Sequence, residues 1–231
     1  MKRQRGFQGD RLRRLLQSGF KKPAVAGRSP HIEVPGASRS HLNHPSENRR
    51  EDSRARVVAT LERWARLKAY LPEELIRHGL VAMRANREAL GAAVQFGDGC
   101  QRACIFACEH FEVLVACRTS GQGGPIHDHG GSICGLLVVE GTATEIVFEE
   151  TGAGLLSPSR SHNIPEGAVS VSRNGDVHML ANLQSEGTPL ITLHVCSPPL
   201  TARHRFRLGE TAFSGLDEVV DEQTSTRSLS I

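Results

Sequence analysis

Aromatic residues are scarce. Phe, Trp and Tyr make up 4% of the 231 residues, with one tryptophan, Trp64, and one tyrosine, Tyr70. A surface that stacks bases interleaves aromatic and basic residues, so this scarcity argues against a nucleic-acid partner. No apolar run approaches the roughly 18 residues that a membrane-spanning helix needs. No apolar signal segment follows the basic start either. A cytoplasmic protein without a membrane partner is the expectation. The six cysteines (Cys100, Cys104, Cys108, Cys117, Cys134 and Cys196) include no CxxC pair, the spacing common to zinc ribbons and thioredoxin-like redox sites. In a chain with no secretion signal they read as reduced thiols, buried as small hydrophobes.

Acidic residues are few at the front. Residues 1–56 hold 14 Lys/Arg against 5 Asp/Glu, whereas the remainder holds 14 against 20. The net charge of +3 therefore misrepresents both parts. Residues 1–56 are basic, polar and weakly periodic, which predicts a disordered extension. Residues 57–231 form the folded domain, ending in a polar tail over 212–231.

Within that domain, 57–96 reads as helical. Val57, Leu61, Trp64, Leu67 and Leu71 recur at spacings of three and four, one face of an amphipathic helix. Pro72 suits the first turn of a second helix, with Glu73 and Glu74 near its positive end. From residue 100 to 211 the texture is β. Short apolar runs in RACIFACEHFEVLVACRTS, SICGLLVVEGTATEIVFEE, AVSVSRNGDVHMLANL and TPLITLHVCSPPL are each bounded by Gly, Asn or Pro. Many short strands at this spacing predict a sandwich or barrel. GQGG and HNIPEG read as turns.

Eleven histidines are present. His31, His41, His44, His78, His110, His162 and His204 fall on the front segment, a helix, turns or loops, and read as surface residues. Four lie on β-like segments: His127, His129, His178 and His194. His127 and His129, two apart on a strand, share a face. A buried pair of imidazoles needs hydrogen bonds or a metal, and a metal takes both as neutral ligands. An HxH pair alone leaves both alternatives open.

The wider spacing adds to it. Gly121, His127, His129, Cys134 and Gly141 reproduce the spacing of the first cupin motif, with Cys134 where a metal-binding glutamate is usual. Gly175, His178 and Asn182 resemble the second motif, without its proline, which makes His178 a third ligand. Together with LITLHVCSPPL, the stretches IHDHGGSICG and DVHMLANL resemble the thiol dioxygenases, and the cysteine dioxygenase family most closely. The resemblance spans about residues 57–205 and none of 1–56. It implies a mainly β protein, a cupin with a small jelly-roll-like β-barrel and N-terminal α-helices. It also implies Fe(II) held by His127, His129 and His178, acting on a small thiol and O₂ to give the sulfinic acid; a single domain with a buried iron can work as a monomer, with an oligomer left open. Three neutral histidines without a carboxylate leave the metal electrophilic and half its coordination sphere open.

The same resemblance assigns the substrate carboxylate to Arg102, with Gln101 as the alternative if the alignment carries no gap; a glutamine there accompanies 3-mercaptopropionate as substrate. Adjacent strand residues face opposite ways, so only one of the two looks into the pocket. His194 matches a histidine beside the site, with Thr192 in place of a serine. Cys196 stands where the family has a tyrosine, so the thioether that some relatives form between cysteine and tyrosine cannot form here in the usual way. Cys134 and Cys196 read first as two reduced wall cysteines and second as a disulfide. L-cysteine is the expected substrate. The alternatives are 3-mercaptopropionate or another mercapto acid, or a non-catalytic cupin that senses a metal or thiol.

Overall fold

A computed structural model describes residues 45–172, 176–200 and 204–206. Helix α1 (Pro45–Leu67) begins upstream of Val57, so part of the segment read as extension is helical. Ser53 is buried and its hydroxyl donates to the Arg84 carbonyl at 2.9 Å, which docks this half of the helix on the end of the next one. Residues 1–44 and the polar tail lie outside the described residues. Val57, Leu61 and Trp64 face the core as their spacing predicts. The stripe stops there: Lys68 turns to φ 51°, Leu67 is 50% exposed, and Leu71 is buried from the connecting segment rather than the helix.

Helix α2 (Glu73–Met83) starts at Pro72, whose carbonyl accepts from the amides of Leu75 and Ile76. It ends at Arg84 in the left-handed region. A short helix, α3 (Arg87–Leu90), and a 3₁₀ turn (Gly91–Ala93) lead into the strands. Two glycines set how closely the helices pack. A Cβ on Gly79 would stand 1.9 Å from Cζ2 of Trp64, and one on Gly135 would stand 2.3 Å from Cγ2 of Ile76. The first allows α1 and α2 to meet; the second seats α2 on the sheet.

Ten strands follow: β1 (Gln101–Ala107), β2 (Glu112–Arg118), β3 (Ile126–His127), β4 (Ile133–Glu140), β5 (Thr142–Glu150), β6 (Leu156–Pro165), β7 (Val169–Ser172), β8 (Val177–Ala181), β9 (Leu190–Ser197) and β10 (Arg205–Phe206). They form two antiparallel sheets, β1-β2-β9-β4-β7 and β10-β3-β8-β5-β6. The mainly β, jelly-roll-like arrangement with N-terminal helices is the one expected, and among the described residues its two sheets do not close into a barrel. β4 and β5 adjoin at Gly141 yet belong to different sheets. The HNIP segment lies in β6 rather than in a turn, and so does His162. This edge strand is mostly exposed, and its polar residues carry no alternation to reveal it.

Period-two alternation divides the first sheet cleanly. Val113, Val115 and Cys117 of β2, Leu137 and Val139 of β4, and Ile191, Leu193 and Val195 of β9 join the helices in the main core. Their neighbours Leu114, Ala116, Arg118, Cys134, Leu136, His194 and Cys196 turn to a cavity between the sheets. Among the described residues no helix is long and apolar enough to cross a membrane. Gly79→Ala is expected to destabilise by about 1–3 kcal/mol, because overpacking Trp64 outweighs the roughly 1 kcal/mol gain in helix propensity. Denaturant unfolding measures it, with exposed Val81→Ala as the control, expected to stay within about 0.5 kcal/mol of the parent.

Candidate metal centre

His127 closes β3, and its register partner across the ladder is His178 of β8. His129 follows the strand rather than lying on it, in a turn closed by a hydrogen bond from the Ser132 amide to its carbonyl. All three rings are buried, and their donor nitrogens lie within 4.8 Å of one another. The two on one segment thus meet through a turn, with ring centroids 5.5 Å apart, and the third arrives from the neighbouring strand.

Hydrogen bonds orient two of these rings. His127 Nδ1 lies 3.0 Å from the Pro125 carbonyl oxygen, which only accepts, so Nδ1 carries the proton and Nε2 presents its lone pair. His178 Nδ1 lies 2.5 Å from Glu145 Oε1, which sets the same tautomer. Outer partners of this kind commonly fix metal-binding imidazoles. His178 Nε2 then faces His129 Nε2 at 3.2 Å, a spacing that needs a shared proton or a cation. The donor set is three buried imidazoles without a thiolate or carboxylate, and it fits a divalent transition metal.

Glu145 was not singled out by sequence. It sits on β5 with its side chain buried, and its second oxygen meets His162 Nε2 at 3.1 Å. Burial pushes its carboxyl up, but the hydrogen bond and charge of His178, with His162 and His129, hold it below the ordinary carboxylate range. His162 is therefore tied to the centre through Glu145, although its own side chain is 49% exposed. Asp128, between the two ligand histidines, bonds His204 Nδ1 at 2.6 Å and the Gly130 amide at 3.1 Å. His204, read from sequence as a bystander, thereby clamps the HxH segment.

The remaining predicted residues divide between the cavity and elsewhere. Arg102 pairs in register with Ala116 and lines the cavity, whereas Gln101 pairs with Cys117 and bonds the carbonyls of Asp98 and Gly99. Thr192 Oγ1 lies 3.2 Å from the Ala116 carbonyl and 2.9 Å from His194 Nε2. Donating to the carbonyl, the hydroxyl accepts from His194, so that ring carries its proton on Nε2. Tyr70 lies beyond α1, 63% exposed against His110, and does not reach the cavity. Cys134 and Cys196 stand opposite each other on β4 and β9, Cα atoms 4.2 Å apart, and are joined as a disulfide. That overturns the first reading, two reduced wall thiols. A direct cross-strand position brings the two side chains within reach of an S–S bond, which sequence separation conceals. Cys100, Cys104, Cys108 and Cys117 are free, and only Cys117 among them is fully buried.

A second charged residue of the cavity lining, besides Glu145, was also not singled out by sequence. Arg118 ends β2 on the same face as Leu114 and Ala116, and is 2% exposed. Strand parity carries the signal, since 114, 116 and 118 share a side.

Comparison with known proteins agrees with this geometry. Residues 102–208 match the family model for cysteine dioxygenase type I. Cysteine dioxygenase type 1 from Rattus norvegicus and from Homo sapiens are each 26% identical over 99 residues, 42% of this chain and 49% of theirs. The chain spans about half the length of the curated relatives it matches. Among solved structures, a protein of Thermus thermophilus aligns with TM-score 0.40 and 19% identity, covering 48% of this chain and 94% of its own. An RmlC-like cupin with a double-stranded β-helix fold from Methanocaldococcus jannaschii aligns with TM-score 0.37 and 18% identity, covering 46% and 85%. The fold itself is mainly β, two antiparallel sheets preceded by helices. Over residues 102–208, just under half of the chain, the sequence is thus similar to the cysteine dioxygenase type I family.

Glu145→Gln, which keeps the shape and removes the charge, is expected to weaken metal affinity about 10- to 100-fold. Competition with a coloured chelator measures this; unchanged affinity would show that Glu145 does not support His178 as a ligand.

Proposed function

We propose that the protein is a non-haem Fe(II) thiol dioxygenase that oxidises a small carboxylated thiol to its sulfinic acid. L-cysteine is the reference substrate and 3-mercaptopropionate its nearest rival. The carrying observation is a buried triad of imidazoles that shares one cavity with Arg102 and a fourth histidine, His194. Similarity of residues 102–208 to the cysteine dioxygenase type I family supports the reading.

His127, His129 and His178 would hold the metal, oriented by the Pro125 carbonyl and by Glu145. Bound Fe(II) supplies a centre where a thiolate and O₂ meet, so that both oxygen atoms enter the sulfur. The rest falls to the protein. Arg102 binds the carboxylate through its planar fork and fixes where the sulfur lies. Thr192 holds the His194 ring with its Nε2 proton directed at Oγ1. Leu114, Leu136 and Leu200 line the same cavity and limit water around the reacting sulfur. The Cys134–Cys196 disulfide occupies the wall where relatives have a phenol, so no tyrosine proton is available at that place.

The disulfide favours a second reading, a cupin that binds metal and thiol without turnover. Anaerobic Fe(II) loading separates the two, followed by O₂ uptake and mass spectrometry of each thiol. The dioxygenase is expected to consume one O₂ per sulfinate, with two added oxygen atoms in the product. Iron binding with no sulfinate from any small carboxylated thiol would favour the sensor.

A further inference from the structure

The cavity carries more positive charge than a monocarboxylate thiol would answer. Arg102 and Arg118 both line it, beside the three imidazoles of the metal centre. Glu145 is the one carboxylate in the lining, and its two oxygens are already engaged by His178 and His162. Any bound divalent metal would widen the imbalance.

Arg118 is the unusual member. It is 2% exposed, and its Nε and Nη1 are buried without a hydrogen-bond partner. No carboxylate among the described residues forms an ion pair with it. A guanidinium keeps its charge under essentially all conditions, so burial without an anion is costly. Burial pulls its pKa below the ordinary value, and the nearby Arg102 charge acts in the same direction. The adjacent Cys117 cannot serve as a counterion, since burial pushes its thiol up and keeps it neutral.

The surroundings fix the main chain at Arg118 and pack against its head group. Asn182, fully buried, donates to the Arg118 carbonyl at 3.1 Å and to the Thr188 carbonyl at 2.9 Å. Gly124 of the GQGG segment passes so close that a Cβ there would lie 3.4 Å from Arg118 Nη2. The segment read from sequence as a plain turn therefore packs against the guanidinium. What remains unmet is a ligand with lone pairs and negative charge.

We propose that Arg118 forms a second anion subsite, and that the physiological ligand is a small thiol carrying two anionic groups, a dicarboxylate, rather than one. One carboxylate engages Arg102 and the other Arg118, with the sulfur directed to the metal centre. The dicarboxylate assignment rests on the thiol dioxygenase reading; the anion subsite itself does not.

Calorimetric titration of the full chain, metal-free and Fe(II)-loaded under argon, with succinate and with butyrate tests the subsite without requiring turnover. Succinate is expected to bind about tenfold or more tightly than butyrate, the scale of a charge-assisted hydrogen bond. Arg118→Leu and Arg118→Gln should bring succinate to the butyrate level and leave butyrate unchanged. Equal affinities in the unmutated chain would overturn the proposal, and that comparison needs no variant to fold. A succinate preference that survives in natively folded Arg118 variants would overturn it too. Turnover of mercaptosuccinate against 3-mercaptopropionate then addresses the substrate. A higher kcat/KM for the diacid that falls to the monoacid value in Arg118→Gln supports the assignment; equal values overturn it. If neither thiol yields sulfinate while the succinate preference persists, the dioxygenase reading fails and the subsite stands.

Discussion

Three imidazoles held together out of water are the constraint on which the rest of the structure depends. Buried neutral histidines are tolerable only when each ring nitrogen has a defined task. The hydrogen bond between Glu145 and His178 supplies one such definition, and the Pro125 carbonyl supplies another. Both turn an Nε2 lone pair inward. The fold serves this arrangement: β8 brings His178 beside His127, β5 carries Glu145 behind His178, and the clamp from His204 to Asp128 holds the segment between the other two ligands.

Strand alternation links the metal centre to the packing. In β2, β4 and β9, one set of residues is apolar and buried under the helices, and the other lines the cavity. Sliding any of these strands by one residue would exchange core for site. Close helix packing at Gly79 and Gly135 therefore matters to the site as well, since it fixes the sheet that supplies Arg102, Arg118 and His194.

Much of this was legible in the sequence. The clustering of His127, His129 and His178 could be read because motif spacing survives without any knowledge of partners, and the core face of α1 because its period is local. Other features depend on pairings that one strand does not reveal. Glu145 lies among other acids in TATEIVFEE, and only β8 shows that it faces inward. Arg118 follows an apolar run and precedes a turn, a place where a charge usually meets solvent. β6 lacks apolar alternation, and the Cys134–Cys196 pairing needs the β4–β9 register, 62 residues apart in sequence. The missing tyrosine could be read, and the Cys134–Cys196 disulfide only as the second of two readings.

The most direct test of the central claim is equilibrium dialysis of the full chain against Fe(II) under argon, with each ligand replaced in turn. The account expects one ion per chain, lost when His127, His129 or His178 becomes alanine while circular dichroism stays unchanged. An unmutated chain that binds no metal would contradict it, as would full metal binding by the His178→Ala variant.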